Sequence, residues 1–274
     1  MRITFIGGGN LATALIGGLT GKTGSTTAIS VIEPLAAQRE MLQARFGARC
    51  FAAPEPAAFE ADVIVMAVKP QQMREAAQAC AAWVSNQLVI SVAAGIRIPD
   101  LERWLGGRPR IIRAMPNTPA LIGMGASGLY ASSAASEVDR TTANSILRSV
   151  GQTVWVQDES LIDAVTAVSG SGPAYVFRFI EAIEQAGIKL GLSAADARAL
   201  TIATFRGAAE LAARSDEPPS VLRERVTSRG GTTAAGLSVM DQGDLNGLLE
   251  RAVNAACRRG AEMGDEFGRS APGA

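Results

Sequence analysis

The residues with the clearest chemical potential follow the first apolar run of the chain, residues 3–6. They form a G-x-G-x-x-A turn made of Gly7, Gly8, Gly9, Asn10, Leu11 and Ala12. In such a turn the first glycine permits the bend, the second lets a pyrophosphate approach the backbone, and the last small residue allows close helix–sheet packing. The free N–H groups of the following helix then face the phosphates. Residues 7–11 are therefore predicted to bind a dinucleotide.

An acidic residue stands where a dinucleotide site needs one. Glu33 closes the next strand-like run, residues 28–33. A carboxylate at that position accepts hydrogen bonds from the ribose hydroxyls of NADH and repels the 2′-phosphate of NADPH. If Glu33 points away from the cofactor, Arg39 can reach that phosphate instead. The sequence therefore leaves both NADH and NADPH open as cofactors.

Further candidates follow later apolar runs, because the carboxyl ends of parallel strands share one edge of a sheet. They are Ala67, Val68, Lys69 and Pro70 after the fourth run, Ala93 and Ala94 after the fifth, and Asn117 after the sixth. The small residues leave room for a ring, Lys69 can reach phosphate or ribose, and Asn117 can hydrogen-bond a carboxamide. We assign this group to the cofactor. A solvated lysine and a rigid connecting loop are the alternatives for Lys69 and Asn117.

Two glycine-rich loops precede helices in the second half of the chain, at residues 169–173 and 228–233. Glycines and hydroxyls at the start of a helix offer several donors to a small anion, for which a carboxylate fits well and a second phosphate is possible. The alternative is ordinary hydroxyl capping. Thr233 fits either role, as an N-cap or as a donor that faces the ligand. The role of the first loop stays open.

Composition excludes several kinds of chemistry. The 274 residues contain no histidine, which rules out a histidine base, a Ser-His-Asp triad and most transition-metal sites, so no metal is expected. The 26 basic residues balance 26 acidic ones, so nucleic acid is not an expected partner. Cys50, Cys80 and Cys257 form no metal or disulfide pattern, which fits a reducing cytoplasm. We expect no membrane span and, because a strand begins at once, no signal peptide.

Strand and helix signals alternate in the first half, which predicts a Rossmann-type doubly wound parallel sheet over residues 1–160. The predicted strands are 3–6, 28–33, 50–51, 62–68, 88–92, 110–115, an edge strand at 127–131, and 153–156. Helices alone are predicted beyond residue 160, so residues 161–274 form an all-α dimerisation and substrate domain with a frayed tail from residue 269. The helical half carries apolar faces, as at Val176 and Phe177. They pack either within one domain or, as we favour, between two subunits.

Six segments together resemble one enzyme family. They are IGGGNLA, AVKPQ, RAMPNTPALIGMG, SGSGPAYVF, VTSRGGTT and NAACRRGAEMG, which run in order from residue 6 to residue 264. This combination is similar to pyrroline-5-carboxylate reductases. The resemblance implies hydride transfer from NADH or NADPH to the imine carbon of 1-pyrroline-5-carboxylate, which gives L-proline. A cyclic iminium already carries its proton near neutral pH, which explains why no histidine base is needed.

The resemblance also implies the roles of individual residues. Thr233 would donate to the imine nitrogen, and Ser228 with Gly230, Gly231 and Thr232 would hold the substrate carboxylate. The family further implies an interlaced helical homodimer whose active site is completed across subunits, with larger rings of dimers in some cases. Some relatives carry a cofactor-contacting asparagine after the third strand, whereas this chain has the segment AAPE at residues 52–55.

Two other functions compete with this interpretation. A β-hydroxyacid-type dehydrogenase would need a catalytic lysine on the first long helix of the second half, where the candidate is Lys189 near the far end. A non-catalytic dinucleotide-sensing protein would bind the cofactor without turnover. That hypothesis leaves the loop at residues 228–233 unexplained.

Overall fold

The computed structural model describes residues 1–21, 27–107 and 109–269. These residues form two compact units. The first consists of Met1–Ser171 together with the described residues from Ala255 onward, and the second is Gly172–Asn254. Residues 270–274 of the predicted frayed tail lie outside the described residues.

The first unit is built on an eight-stranded sheet. Its strands are β1 (Arg2–Ile6), β2 (Ala28–Ile32), β3 (Arg49–Phe51), β4 (Val63–Met66), β5 (Leu88–Ser91), β6 (Arg110–Met115), β7 (Gly125–Ala131) and β8 (Gly151–Trp155). The strand order is β3-β2-β1-β4-β5-β6-β7-β8. Strands β1 to β6 all pair in parallel. The predicted doubly wound α/β fold is thus confirmed.

Helices cover the two faces of this sheet. They are α1 (Asn10–Thr20), α2 (Ala36–Phe46), α3 (Met73–Cys80), α4 (Ile98–Trp104), α5 (Glu137–Leu147) and α6 (Leu161–Val165). Every residue of β4 and β5 is buried, because both strands are central and covered on both sides. The two resulting apolar clusters fix the positions at which the strands end, and therefore the edge from which the loops emerge.

Strand β7 corrects one prediction. Residues 127–131 were expected at the edge of the sheet, but β7 lies between β6 and β8. It runs antiparallel to β6 and parallel to β8. The chain returns through α5 and adds β8 outside β7. No residue of β8 is fully buried, as expected for a strand at the edge.

The segment at residues 169–173 corrects a second prediction, because it is helical rather than a loop. Helix α6 continues through a π-helical turn, Thr166–Gly170, and the next helix begins at Gly172. A side chain at Gly170 would lie 2.7 Å from Met115 Cε. A close contact between distant segments therefore holds this turn, and local sequence signals do not reveal it.

The second unit is helical. It contains α7 (Gly172–Lys189), α8 (Ala194–Ala213), α9 (Pro219–Arg225), α10 (Thr232–Gln242) and the first part of α11 (Leu245–Gly268). Ser193 caps α8 by accepting a hydrogen bond from the Asp196 N–H at 3.1 Å. Helix α7 has no buried side chain, and even the large apolar Phe177 is 64% exposed.

The second part of α11 packs on the first unit through a face of small residues, Gly260, Gly264 and Gly268. A side chain at Gly264 would lie 2.7 Å from Arg97 Nε. Arg97 also forms an ion pair of 2.7 Å with Asp265 and donates to a carbonyl of α11. Glycine at this face therefore lets a charged side chain lie against the helix backbone.

Candidate active site

The loops that follow β1, β4 and β5 leave the sheet at one edge. Strands β1 and β4 are neighbours, but the chain leaves β1 towards β2 on one side and β4 towards β5 on the other. Such a reversal of strand order creates a crevice outside the carboxyl ends of the strands, where ligands of this fold class bind. Backbone hydrogen bonds connect the loop starts, from Ala67 N–H to the Ile6 carbonyl at 2.8 Å and from Val92 N–H to the Met66 carbonyl at 3.2 Å.

The glycine turn after β1 has the geometry that a diphosphate requires. Gly7 has φ +95°, and a side chain there would meet Val68 Cγ1 at 2.9 Å, so only glycine fits. Gly9 precedes α1, is exposed, and has no atom within 4 Å of the position that its Cβ would take. No side chain caps α1. The exposed Asn10 and half-buried Leu11 continue this open start, so the residues fit a dinucleotide.

Glu33 and Arg39 lie beside this turn. Glu33 is 8% exposed, and its carboxylate accepts hydrogen bonds of 2.9 Å from the N–H groups of Gly8 and Leu35. A carboxylate has about four acceptor positions, so it retains capacity for a ribose hydroxyl. Arg39 donates through Nη1 to the carbonyls of Glu33 and Pro34, at 2.8 and 2.7 Å. Glu33 and Arg39, the two residues predicted to recognise the ribose or its 2′-phosphate, thus both lie near the end of β2.

The other predicted cofactor residues lie at the same edge. Ala67 and Val68 are half-buried, Lys69 is exposed, and Pro70 opens a 3₁₀ turn, Pro70–Gln72. After β5, Ala93 is buried and Ala94 half-buried. The chain then turns at Gly95, whose φ of +71° favours glycine. The structure therefore brings these segments to one crevice with the glycine turn.

Asn117 links two segments of the first unit. Its amide nitrogen donates to the Ser169 carbonyl at 3.0 Å, and its amide oxygen accepts from Ala126 N–H at 2.8 Å. Both polar atoms thus have protein partners. The side chain fixes the loop after β6 against β7 and the π-helical turn, which matches the alternative of a rigid connecting loop.

Arg113 is a residue whose role sequence reasoning missed. Its side chain is 2% exposed and forms ion pairs with Glu159 at 3.1 Å and Asp163 at 3.5 Å. Glu159 also accepts a 2.8 Å hydrogen bond from Ile98 N–H, just after the loop that follows β5. The cluster therefore ties that loop to β6 and α6. The signal was a cation between apolar residues, in the sequence IIRAM at residues 111–115.

The loop before α10 forms its own open helix start in the second unit. Gly230 has φ +73°, Gly231 N–H donates to the Ser228 carbonyl at 3.0 Å, and a side chain at Gly231 would collide with Ser228 Oγ. Gly231 is the N-cap and no side chain caps the helix. Thr232 and Thr233 are therefore the first two helical residues. Thr233 is not the N-cap, which corrects that part of the prediction.

Three further observations concern the lysine of the dehydrogenase alternative, metal sites and membrane spans. Lys189 is the last residue of α7, so it does not lie near the start of that helix. Among the described residues there is no group of three or more His, Cys, Asp and Glu side chains that would hold a metal ion. No helix in the described part of the chain has the length and apolar character needed to cross a membrane.

Comparisons with known proteins cover both halves of the chain. Residues 159–263 match the family model described as pyrroline-5-carboxylate reductase dimerisation, and residues 2–95 match the one described as NADP oxidoreductase, coenzyme F420-dependent. The pyrroline-5-carboxylate reductase of Pseudomonas aeruginosa is 45% identical over 269 residues, which is 98% of each chain. The enzyme of Haemophilus influenzae is 42% identical and covers 95% of this chain and 97% of its own.

Solved structures agree. A pyrroline-5-carboxylate reductase from Coxiella burnetii matches with a TM-score of 0.90 and 39% identity, covering 95% of this chain and 97% of that one. A pyrroline carboxylate reductase from Plasmodium falciparum, solved with NADP bound, matches with a TM-score of 0.84 and 30% identity over 96% of this chain and 98% of that one. With its sheet, its open crevice and these relatives, the chain belongs to the pyrroline-5-carboxylate reductase family.

Proposed function

We propose that the protein reduces 1-pyrroline-5-carboxylate to L-proline with NADH or NADPH as the hydride donor. The observation that carries this proposal is the open start of α10, where glycines and hydroxyls stand in place of a cap. A small carboxylate fits such a start well. Membership of the pyrroline-5-carboxylate reductase family indicates that a cyclic imine carries this carboxylate.

One group of residues binds the substrate carboxylate, and Thr233 contacts the imine nitrogen. When bound, the nicotinamide supplies a hydride to the imine carbon, and the C=N electron pair moves to the nitrogen. The Thr233 hydroxyl donates a hydrogen bond to that nitrogen as its lone pair forms, while Ser228 and the backbone of Gly230, Gly231 and Thr232 hold the carboxylate. Because the iminium already carries its proton, Thr233 orients the nitrogen and need not act as a strong acid.

The crevice of the first unit holds the cofactor in this proposal. Gly7, Gly8, Gly9, Asn10 and Leu11 surround the diphosphate. Ala67, Val68, Lys69, Pro70, Ala93 and Ala94 line the nicotinamide half, while Asn117 holds the loop after β6 in place through its hydrogen bonds to Ser169 and Ala126. Glu33 accepts from the ribose hydroxyls, and its charge at this site favours NADH over NADPH.

Assembly completes the site. We assign residues 1–160 to the dinucleotide-binding domain and residues 161–274 to the helical dimerisation and substrate domain, and we place the enzyme in the cytoplasm. Helices α7, α8 and α10 expose large apolar side chains, including Phe177 at 64%, Leu211 at 69% and Val239 at 69%. Burial of these faces against a second copy forms a homodimer with a shared active site. Rings of dimers are a further possibility within this family.

The decisive measurement is the loss of reduced-nicotinamide absorbance when pyrroline-5-carboxylate is added, run in parallel with NADH and NADPH. Fast oxidation with formation of L-proline is the expected result, with NADH the better donor. Binding of either cofactor without turnover would instead support the dinucleotide-sensing alternative. Oxidation of a β-hydroxy acid with NAD⁺ or NADP⁺, without turnover of the imine, would support the dehydrogenase alternative.

A further inference from the structure

We propose that Gln38 is a positioning residue for the diphosphate turn. Its side-chain amide, on α2, donates a hydrogen bond to the Gly8 carbonyl. The inference rests on the proposed cofactor site, because it concerns how that site is shaped. Gln38 itself lies outside every group of candidate residues identified from the sequence.

Gly8 is held on both of its backbone polar atoms by side chains. Its N–H donates to Glu33 Oε2 at 2.9 Å, and its carbonyl accepts from Gln38 Nε2. The Thr13 hydroxyl adds a longer contact of 3.3 Å to the same carbonyl. Two consecutive peptide groups of the turn are thus oriented by side chains, one by Glu33 and the other by Gln38.

Peptide geometry connects this hydrogen bond to the ligand. The Gly8 carbonyl and the Gly9 N–H belong to one planar trans peptide, so they point in opposite directions. When Gln38 draws the carbonyl towards α2, the Gly9 N–H points away from α2. Gly9 itself is exposed, and no atom lies within 4 Å of the position that its Cβ would take. Gln38 therefore aims a donor at the diphosphate.

The close packing around Gly8 restricts the position of the turn backbone. A side chain at Gly8 would lie 2.7 Å from Leu42 Cδ1, 3.3 Å from Glu33 Cγ and 3.4 Å from Gln38 Cγ. Leu42 is fully buried and fixes this part of α2. The backbone thus lies directly on α2, and the Gln38 amide sets the rotation of the peptide rather than its distance from the helix.

The test compares Gln38→Met, which keeps the length of the side chain but removes the donor, with Gln38→Glu, which places an acceptor against the carbonyl. Gln43→Met is the matched control, because Gln43 is an exposed residue of the same helix. The measurements are dissociation constants for NADH, NADPH and ADP, kcat and KM for pyrroline-5-carboxylate, and the thermal unfolding midpoint.

For Gln38→Met we expect all three dissociation constants to rise together by about fivefold, the worth of one lost hydrogen bond, while kcat at saturating cofactor stays within about twofold. Gln38→Glu should weaken binding further, and Gln43→Met should change nothing. Three results would overturn the inference: unchanged binding in both Gln38 variants, a loss confined to NADPH, or a lower unfolding midpoint with unchanged binding. If the unaltered enzyme binds no nicotinamide cofactor, the proposed function fails as well.

Discussion

Helices α1 and α5 lie on the same unit but begin in opposite ways. At the start of α5, the Ser136 hydroxyl accepts from Asp139 N–H at 3.2 Å, and the Asp139 carboxylate accepts from Ser136 N–H at 2.8 Å. At the start of α1, Gly9 offers no side chain, and no cap is made. The first turn of a helix leaves four N–H groups without partners inside the helix. Helix α5 thus satisfies a first-turn N–H group with its own cap, whereas no side chain caps the first turn of α1.

Helix α10 begins in the same way as α1, at Gly231, whereas α8 resembles α5 with its Ser193 cap. A cap contributes to folding stability, while an uncapped start gives up that contribution in exchange for an anion site. Because of this difference, substitutions at a capped helix start and at an uncapped one should change different measured properties. Ligand binding and turnover should respond at α1 and α10, and stability should respond at α5.

The largest effect is expected at α10. Thr233→Ala removes the hydroxyl proposed to face the imine nitrogen and should lower kcat by about 100-fold, in the range for loss of one donor at a reacting centre. Cofactor affinity and the unfolding midpoint should be unchanged. Steady-state kinetics and NADH binding check this, with Thr233→Ser as the variant that retains a hydroxyl. A loss of NADH affinity with normal kcat would place Thr233 on the cofactor instead.

A smaller effect is expected when α1 is given the cap that it lacks. Gly9 has φ −66° and ψ −171°, an extended conformation that serine adopts freely, and space at its Cβ position is open. In Gly9→Ser the new hydroxyl competes with the diphosphate for the same N–H groups. We expect KM for NADH to rise about tenfold, while stability increases by a few tenths of a kcal/mol.

Gly107→Ser is the matched control for that change, because Gly107 is exposed, also has open space, and precedes β6 at the opposite edge of the sheet. Cofactor KM values and urea unfolding curves measure both quantities. Unchanged KM in Gly9→Ser would show that the start of α1 does not face the diphosphate.

The smallest effect is expected at α5 and concerns stability alone. Burial raises the pKa of Asp139, but hydrogen bonds from Ser136 and the Arg110 guanidinium at 2.7 Å outweigh burial, so the pKa lies below its ordinary value of 3.8. Asp139→Asn should therefore lower the free energy of unfolding at pH 7 by about 1 kcal/mol, with kinetics unchanged.

The sign of the pH dependence follows from the lowered pKa. The stabilisation is present above pH 3.8 and is lost as the pH falls through the folded-state pKa, so the difference between the two proteins should narrow in that acid range. Urea unfolding across the acid range measures it, with the exposed Glu40→Gln as control. A gap that stays constant down to the lowest pH would mean that the carboxylate charge does not contribute.

Local signals were enough to predict the elements that local rules govern. Strand β6 has the predicted bounds, residues 110–115. Helix α4 carries no clear sequence signal, because its seven residues are too short to display a helical period. The position of β7 and the π-helical turn at Gly170 depend on partners far away in the sequence, which local patterns do not encode.

The same division holds for the site. Gly7 and the start of α1 follow from a turn that only particular residues can form, so they were predictable. The partners of Glu33 and Asn117 were not, because a hydrogen bond from the Gly8 N–H or from Ala126 depends on how distant segments pack. Arg113 was visible as a cation in an apolar run, but its two carboxylate partners lie about 50 residues further along.

The position of the second part of α11 after the second unit in the sequence has a consequence for folding during translation. The first unit needs residues from Ala255 onward, but the chain makes the whole second unit, Gly172–Asn254, before them. At 5–20 residues per second the ribosome needs on the order of ten seconds for that stretch. Throughout that time the surface around Arg97 and Gly95 lacks the helix that will cover it. During translation the first unit therefore exposes this surface until the second part of α11 has been made.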